Sequence, residues 1–103
     1  MGIFDLFKES DINTEIANLE DGTVLLDVRE ADEFRAGHIP GAVNVPLSTL
    51  SQAHVPWDRD TAICVYCLAG TRSKRAVSFL QSKGYTNVKN IGGMKSYKGS
   101  IEK

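Results

Sequence analysis

The groups of this chain that could do chemistry crowd into seven consecutive residues, Cys67-Leu68-Ala69-Gly70-Thr71-Arg72-Ser73. A cysteine is a nucleophile once ionised, and a helix N-terminus or a nearby cation can lower its pKa from about 8.5 to roughly 3.5–7.5. Gly70 permits a tight turn in which several backbone N–H groups face inward, and a helix starting near Ser73 would aim its positive dipole end at the same point. Arg72 adds a permanent cation with a planar fork suited to an oxyanion. The segment therefore reads as an anion cradle built around a thiolate. A lone cysteine at a strand end would read as inert core; Gly70 and Arg72 at these spacings favour the reactive reading.

The cradle has to be positioned by what flanks it. Thr61 to Tyr66 is an apolar run that predicts a buried parallel strand, with Cys67 immediately after it. Ser73 to Lys83 carries Ala76, Val77, Phe79 and Leu80 opposite Lys74, Arg75 and Ser78, a helical stripe that Gly84 stops. Upstream, Ile12, Ile16 and Leu19 recur at helical spacing after the cap candidates Ser10-Asp11, and Asp21-Gly22 closes that segment. Thr23 to Val28 predicts a second buried strand, Glu30 to Ala36 one or two helical turns, Ala42 to Val45 a short strand and Leu47 to Gln52 a short helix. Asp58-Arg59-Asp60 reads as a polar bend, and Val88 to Ile91 as a last strand before Gly92-Gly93 and Met94 to Tyr97. Strands alternating with helices imply an α/β fold, a mostly parallel central sheet with helices on both faces. Ligands of such sheets bind beyond the strand C-termini, where Cys67 falls.

With 103 residues, 42% apolar and 24% charged, the chain suits one globular domain over 1–103, its core at about 12–98 and a lead-in at 1–10. Twelve Lys and Arg against 13 Asp and Glu leave a formal charge of -1, which argues against nucleic-acid or anionic-membrane partners. The longest apolar run, Val24-Leu25-Leu26, is far short of the roughly 18–20 residues of a membrane span. Met1 to Phe7 lacks the basic and apolar regions of a signal peptide, and Leu6 stands where a myristoylation pattern requires Ser or Thr. That lead-in is expected to pack on the domain. Two cysteines without an export signal are expected to stay reduced, which points to the cytoplasm.

At the cysteine loop the sequence becomes specific. Cys67-x-x-Gly70-x-Arg72-Ser73 resembles the active-site loop of single-domain rhodanese sulfurtransferases. Leu25-Leu26-Asp27-Val28-Arg29, the stretch from Glu33-Phe34 through Gly37-His38-Ile39-Pro40-Gly41-Ala42, Asn44-Val45-Pro46-Leu47 and Gly92-Gly93-Met94 are similar to that family's other motifs, in unbroken order from about Ile12 to Tyr97. Two positions depart from it: Tyr97 stands where the family often has Trp, and Leu68 is apolar where the loop is often polar. The resemblance implies a rhodanese-like fold and covalent two-step catalysis. Cys67 would take the sulfane sulfur of a donor such as thiosulfate and pass it to cyanide, a thiol or a partner protein. The donor would be bound by Leu68, Ala69, Gly70, Thr71 and Arg72, their inward amides holding the anionic terminal sulfur and Arg72 attracting the anionic donor. No metal or organic cofactor is expected. Oligomeric state and the physiological donor and acceptor are not legible.

Two other classes compete. Rhodanese-like domains also serve as docking or sulfur-carrier modules, although loss of the nucleophile would mark the former and Cys67 is present. Cysteine-dependent phosphatases and arsenate reductases build a comparable cradle, but only four residues separate Cys67 from Arg72, a shorter ring that fits sulfur better than a tetrahedral phosphate.

The remaining chemical residues read as structure. Cys64-Val65-Tyr66-Cys67 has CxxC spacing, but three extended steps of about 3.3 Å separate the α-carbons by roughly 10 Å, beyond the ~7 Å limit of a disulfide. A structural zinc site needs more ligands than His38 and His54 add, so Cys64 is assigned to the core. Asp27 and Arg29 either point toward the active-site cleft or pair with nearby charges such as Glu33, and the structural role is the one expected. His38 is expected to bond backbone and hold its turn. Lys74 is a candidate for a positive rim, Arg75 belongs to a solvated helix face, and His54 and Trp57 either line a partner face or sit at the domain edge.

Overall fold

The computed structural model describes residues 11–103. The expectations for the lead-in, including Ser10 as a cap, lie outside the described residues. The elements run α1 (Ile12–Ala17), β1 (Val24–Asp27), α2 (Ala31–Ala36), β2 (Val43–Asn44), α3 (Leu47–Leu50), β3 (Ile63–Cys67), α4 (Thr71–Ser82) and β4 (Val88–Gly93), followed by a 3-10 turn at Met94–Ser96. The sheet is four-stranded with order β2-β1-β3-β4 and parallel throughout. The predicted alternation is thus an α/β fold whose two strongest apolar runs are its central strands.

Central position explains the composition of β1 and β3. Both faces of each strand are covered, so side chains of either parity must be apolar. Leu26, Val28, Ile63, Val65 and Cys67 point to one face and pack with Leu50 of α3 and Ala76 and Leu80 of α4. Leu25, Cys64, Tyr66 and Ile91 point to the other and pack with Ile12 of α1 and Ile39. Cys64 and Cys67, an odd number of residues apart on one strand, therefore lie on opposite faces, and both are free thiols.

Several boundaries move from their expected places. α1 stops at Ala17, short of Asp21-Gly22, and α3 is a single turn. Cys67 is the last residue of β3 rather than the residue after it, and α4 begins at Thr71, two residues before Ser73. β4 continues through Gly93 because its pairing with β3 carries a bulge: Val65 opposes Asn90, but Tyr66 opposes Gly92, so Ile91 is skipped. Gly92 takes φ +107 at that bulge, a left-handed conformation that glycine adopts without strain.

The C-terminal end of β1 is held by a buried polar cluster. Asp27 and Arg29 pair with each other, not with Glu33: Arg29 Nη2 lies 2.8 Å from Asp27 Oδ2 and also donates to the Gly37 carbonyl at 2.7 Å. Asn44 Nδ2 donates to the carbonyls of Asp27 and Arg29. His38 holds its turn as expected, with Nδ1 2.9 Å from the Phe34 carbonyl, its ring stacked on Phe34 and its backbone bridged to Glu102. Trp57 sits at the core edge, where its carbonyl accepts the Tyr85 hydroxyl, and His54 is exposed. Tyr97 packs on the second core face. Among the described residues no helix is long and apolar enough to cross a membrane, and no metal-binding cluster of three or more His, Cys, Asp or Glu occurs.

Candidate functional site

The chain reverses between β3 and α4 in three residues, Leu68, Ala69 and Gly70. So short a connection is possible because Gly70, the N-cap of α4, has φ +97. The loop rests against the end of β4 at Gly93, where any β-carbon would collide with the Leu68 carbonyl and Ala69. The Leu68 carbonyl also accepts the Lys95 N–H at 3.1 Å, which pins the loop from the side of the 3-10 turn.

Cys67 Sγ occupies the floor of this reversal. It accepts the Gly70 N–H at 3.0 Å and the Ser73 N–H at 3.3 Å, and the Ser73 hydroxyl oxygen lies 3.4 Å away. Burial pushes the thiol pKa up, but hydrogen bonds from the Ser73 hydroxyl, the Ser73 amide and the amides of Gly70 and Ala69 more than offset it and hold the thiol below its ordinary value. The positive end of α4 acts in the same sense. Cys64 has the opposite environment: burial raises its pKa, and no such ring of donors surrounds it.

The loop thus brings together the residues expected from sequence, with two differences. Leu68, Ala69 and Thr71 are exposed around the sulfur, Leu68 by 45%. Of the backbone donors, Gly70 and Ser73 lie closest to the sulfur and Ala69 adds to them, and Ser73 was expected only as the start of the helix. Arg72, expected to offer an open fork, instead closes it on Glu33: Nη1 is 2.7 Å from Oε1 and Nη2 is 3.1 Å from Oε2. Glu33 is fixed in turn, because its carboxylate accepts the Glu30 N–H in the capping box of α2. That interaction with Arg72 holds the Glu33 carboxyl down to about 2.

Asn90, which sequence reasoning left as an ordinary strand residue, belongs to the same assembly. Its Oδ1 lies 2.7 Å from the Ser73 hydroxyl and accepts the Gly92 N–H at 2.9 Å, while its Nδ2 donates to the Gly70 carbonyl at 3.1 Å. A polar amide on the helix-facing side of a strand, between Val88 and Ile91, is the one signal that could have found it.

Comparison with known proteins agrees with this architecture. Residues 14–100 match the family model of the rhodanese-like domain. The chain is 43% identical over 79 residues to YqhL of Bacillus subtilis, an uncharacterized protein, covering 76% of this chain and 63% of that one. It is 38% identical over 73 residues to the thiosulfate sulfurtransferase PspE of Escherichia coli, covering 68% of this chain and 69% of PspE. Among solved structures, a rhodanese-related protein from Thermoplasma volcanium superposes with a TM-score of 0.78 at 30% identity, over 92% of this chain and 97% of that one. A match of this extent, carried on a shared parallel sheet, makes the chain a member of the rhodanese-like domain family, homologous to small sulfurtransferases.

Proposed function

We propose that this chain acts as one domain, over residues 1–103, that moves a sulfane sulfur from an anionic donor such as thiosulfate to a nucleophilic acceptor through a persulfide on Cys67. The observation that carries the reading is the ring of N–H donors on Cys67 Sγ at the N-terminus of α4. Such a ring stabilises a thiolate and then a persulfide anion, and neither needs a metal or an organic cofactor. In the first step the thiolate attacks the outer sulfur of thiosulfate. A sulfur–sulfur bond forms to Cys67 as the bond to the sulfonate breaks, and sulfite leaves with the electron pair. In the second step cyanide or a thiolate, free or on a partner protein, attacks the outer persulfide sulfur, and Cys67 departs as the thiolate it began as. Leu68 to Arg72 line the donor's approach. The assignment of PspE as a thiosulfate sulfurtransferase supports the choice of donor. A thiolate chemistry of this kind suits the reducing cytoplasm.

Intact-mass spectrometry without reductant tests the reading. Thiosulfate should add the mass of one sulfur to the protein, and Cys67→Ser should add none. Absence of the adduct on the wild-type chain, with phosphate-ester hydrolysis that requires Cys67, would replace this reading by a phosphatase. Absence of both activities would leave a docking module.

A further inference from the structure

The hydrogen bonds around Ser73 do not add up unless its hydroxyl has a preferred direction. A serine hydroxyl has one hydrogen, yet Ser73 Oγ lies within bonding distance of three groups: Asn90 Oδ1 at 2.7 Å, the Gly70 carbonyl at 3.0 Å and Cys67 Sγ at 3.4 Å. The Asn90 amide cannot be turned round to help. Its oxygen is identified by the Gly92 N–H that it accepts, and its nitrogen by the Gly70 carbonyl to which it donates. Toward Ser73 it is therefore an acceptor. The Gly70 carbonyl already receives the Lys74 N–H at 3.2 Å and the Asn90 amide, which together occupy its two lone pairs. The single hydroxyl hydrogen accordingly goes to the nearest acceptor with room for it, Asn90 Oδ1, and an oxygen lone pair is left facing sulfur.

We propose that Asn90 is a positioning residue that holds the Ser73 hydroxyl hydrogen away from Cys67, so that Ser73 accepts the S–H of the resting thiol and must leave Asn90 to donate to the thiolate. The proton balance is simple. The thiol proton departs to solvent, the hydroxyl keeps its own hydrogen and only rotates, and no bond to oxygen breaks. Asn90 and the Cys67 sulfur thereby compete for one donor, and the outcome sets how readily the sulfur ionises. The bulge that skips Ile91 creates the competition. It keeps Asn90 opposite Val65, on the α4 side of the sheet, and turns the Gly92 N–H back onto the Asn90 oxygen.

The inference rests on Cys67 being the reacting sulfur, so its test reads ionisation without turnover. The rate of Cys67 alkylation by iodoacetamide is measured against pH in a Cys64→Ser background, or by peptide mass with both cysteines present should that background prove unstable. Four proteins are compared: the parent, Asn90→Ala, Ser73→Ala and the double variant. The charged groups acting at the loop are Arg72 of α4, its partner Glu33 and neighbouring Glu30 on the α2 side; all are common to the four. Asn90→Ala should lower the midpoint by roughly half to one pH unit, because the hydroxyl loses the Asn90 oxygen and, of the acceptors left to it, the thiolate is charged whereas the Gly70 carbonyl, vacated by the Asn90 amide but still holding the Lys74 N–H, is neutral. The same substitution should have no effect once Ser73 is alanine. An unchanged or raised midpoint in Asn90→Ala overturns the proposal, and so does a lowered one that persists without Ser73. Should thiosulfate leave no persulfide while this pattern is seen, the functional reading fails and the Asn90 device stands.

Discussion

Glu33 and Arg72, 39 residues apart in the chain, close a two-point ion pair beside the cysteine loop, with side chains that remain 32% and 33% exposed. The one arginine of the loop is thus half neutralised before any donor arrives. On the proposed function, a dianion such as thiosulfate would have to compete with Glu33 for the guanidinium fork, or share it.

This competition predicts opposite effects from its two partners. Arg72→Ala should raise the thiosulfate KM about tenfold, the loss of one charge-assisted contact. Glu33→Gln should lower it several-fold, since Gln still reaches back to the Glu30 N–H in a capping box while the negative charge is gone. Steady-state kinetics at two ionic strengths check both. A raised KM in Glu33→Gln would mean that Glu33 orients Arg72 rather than competing for it.

The same pair predicts a pH dependence of stability. Glu33 titrates at about 2 in the fold against an ordinary 4.5, chiefly because Arg72 bonds its ionised form. A carboxyl depressed in the native state stabilises the fold above its unfolded pKa and loses that contribution as the pH falls toward its folded one. The Tm advantage of wild type over Glu33→Gln should therefore hold at neutral pH and shrink between pH 4.5 and 2. Thermal melts across that window check it; an advantage that does not change with pH would assign the effect to packing.

The two cysteines should behave as different reagents. Cys67 has its pKa lowered by the loop's donors, whereas Cys64 has its pKa raised by burial on the opposite face. Cys67→Ser should abolish sulfur transfer and Cys64→Ser should retain most of it. Equal loss in both variants would overturn the assignment of the loop as the reacting site.

Gly93 offers a test of how closely β4 supports the loop. Its backbone, at φ -126, suits any residue, but a β-carbon there would strike the Leu68 carbonyl and Ala69. Gly93→Ala should cost about 1–3 kcal/mol as an overpacking change and should reduce persulfide formation together with Tm. Denaturant unfolding and the intact-mass assay, run on one preparation, check the pair of effects.

What could be read from the sequence is what depends on neighbours along the chain. The apolar runs of β1 and β3 declared central parallel strands, because burial on both faces demands apolar residues of either parity. The stripe of Ala76, Phe79 and Leu80 declared α4, and Cys67, Gly70 and Arg72 marked the strand-to-helix turn within a few residues of its limits. The CxxC spacing was set aside by strand geometry alone, since three extended steps separate the α-carbons by roughly 10 Å; the structure adds that the two side chains fall on opposite faces and that both thiols are free.

The partners of that turn come from elsewhere in the chain, and only the fold decided them. Glu33 reaches Arg72 because α2 follows β1 and β1 lies beside β3, a proximity set by sheet order. Asn90 reaches Ser73 because one skipped residue in β4 shifts the register after Val65, and no local pattern in Val88 to Gly93 announces such a shift. Arg29 differs: its ion-pair partner Asp27 is two residues away at the end of β1, and the fold decided only that this buried site, completed by the Gly37 carbonyl at 2.7 Å, is preferred to Glu33. A nucleophile and its loop are local chemistry and are written in order. The groups that set its charge balance and its hydrogen-bond donors are long-range neighbours, and they are specified by how the strands pair.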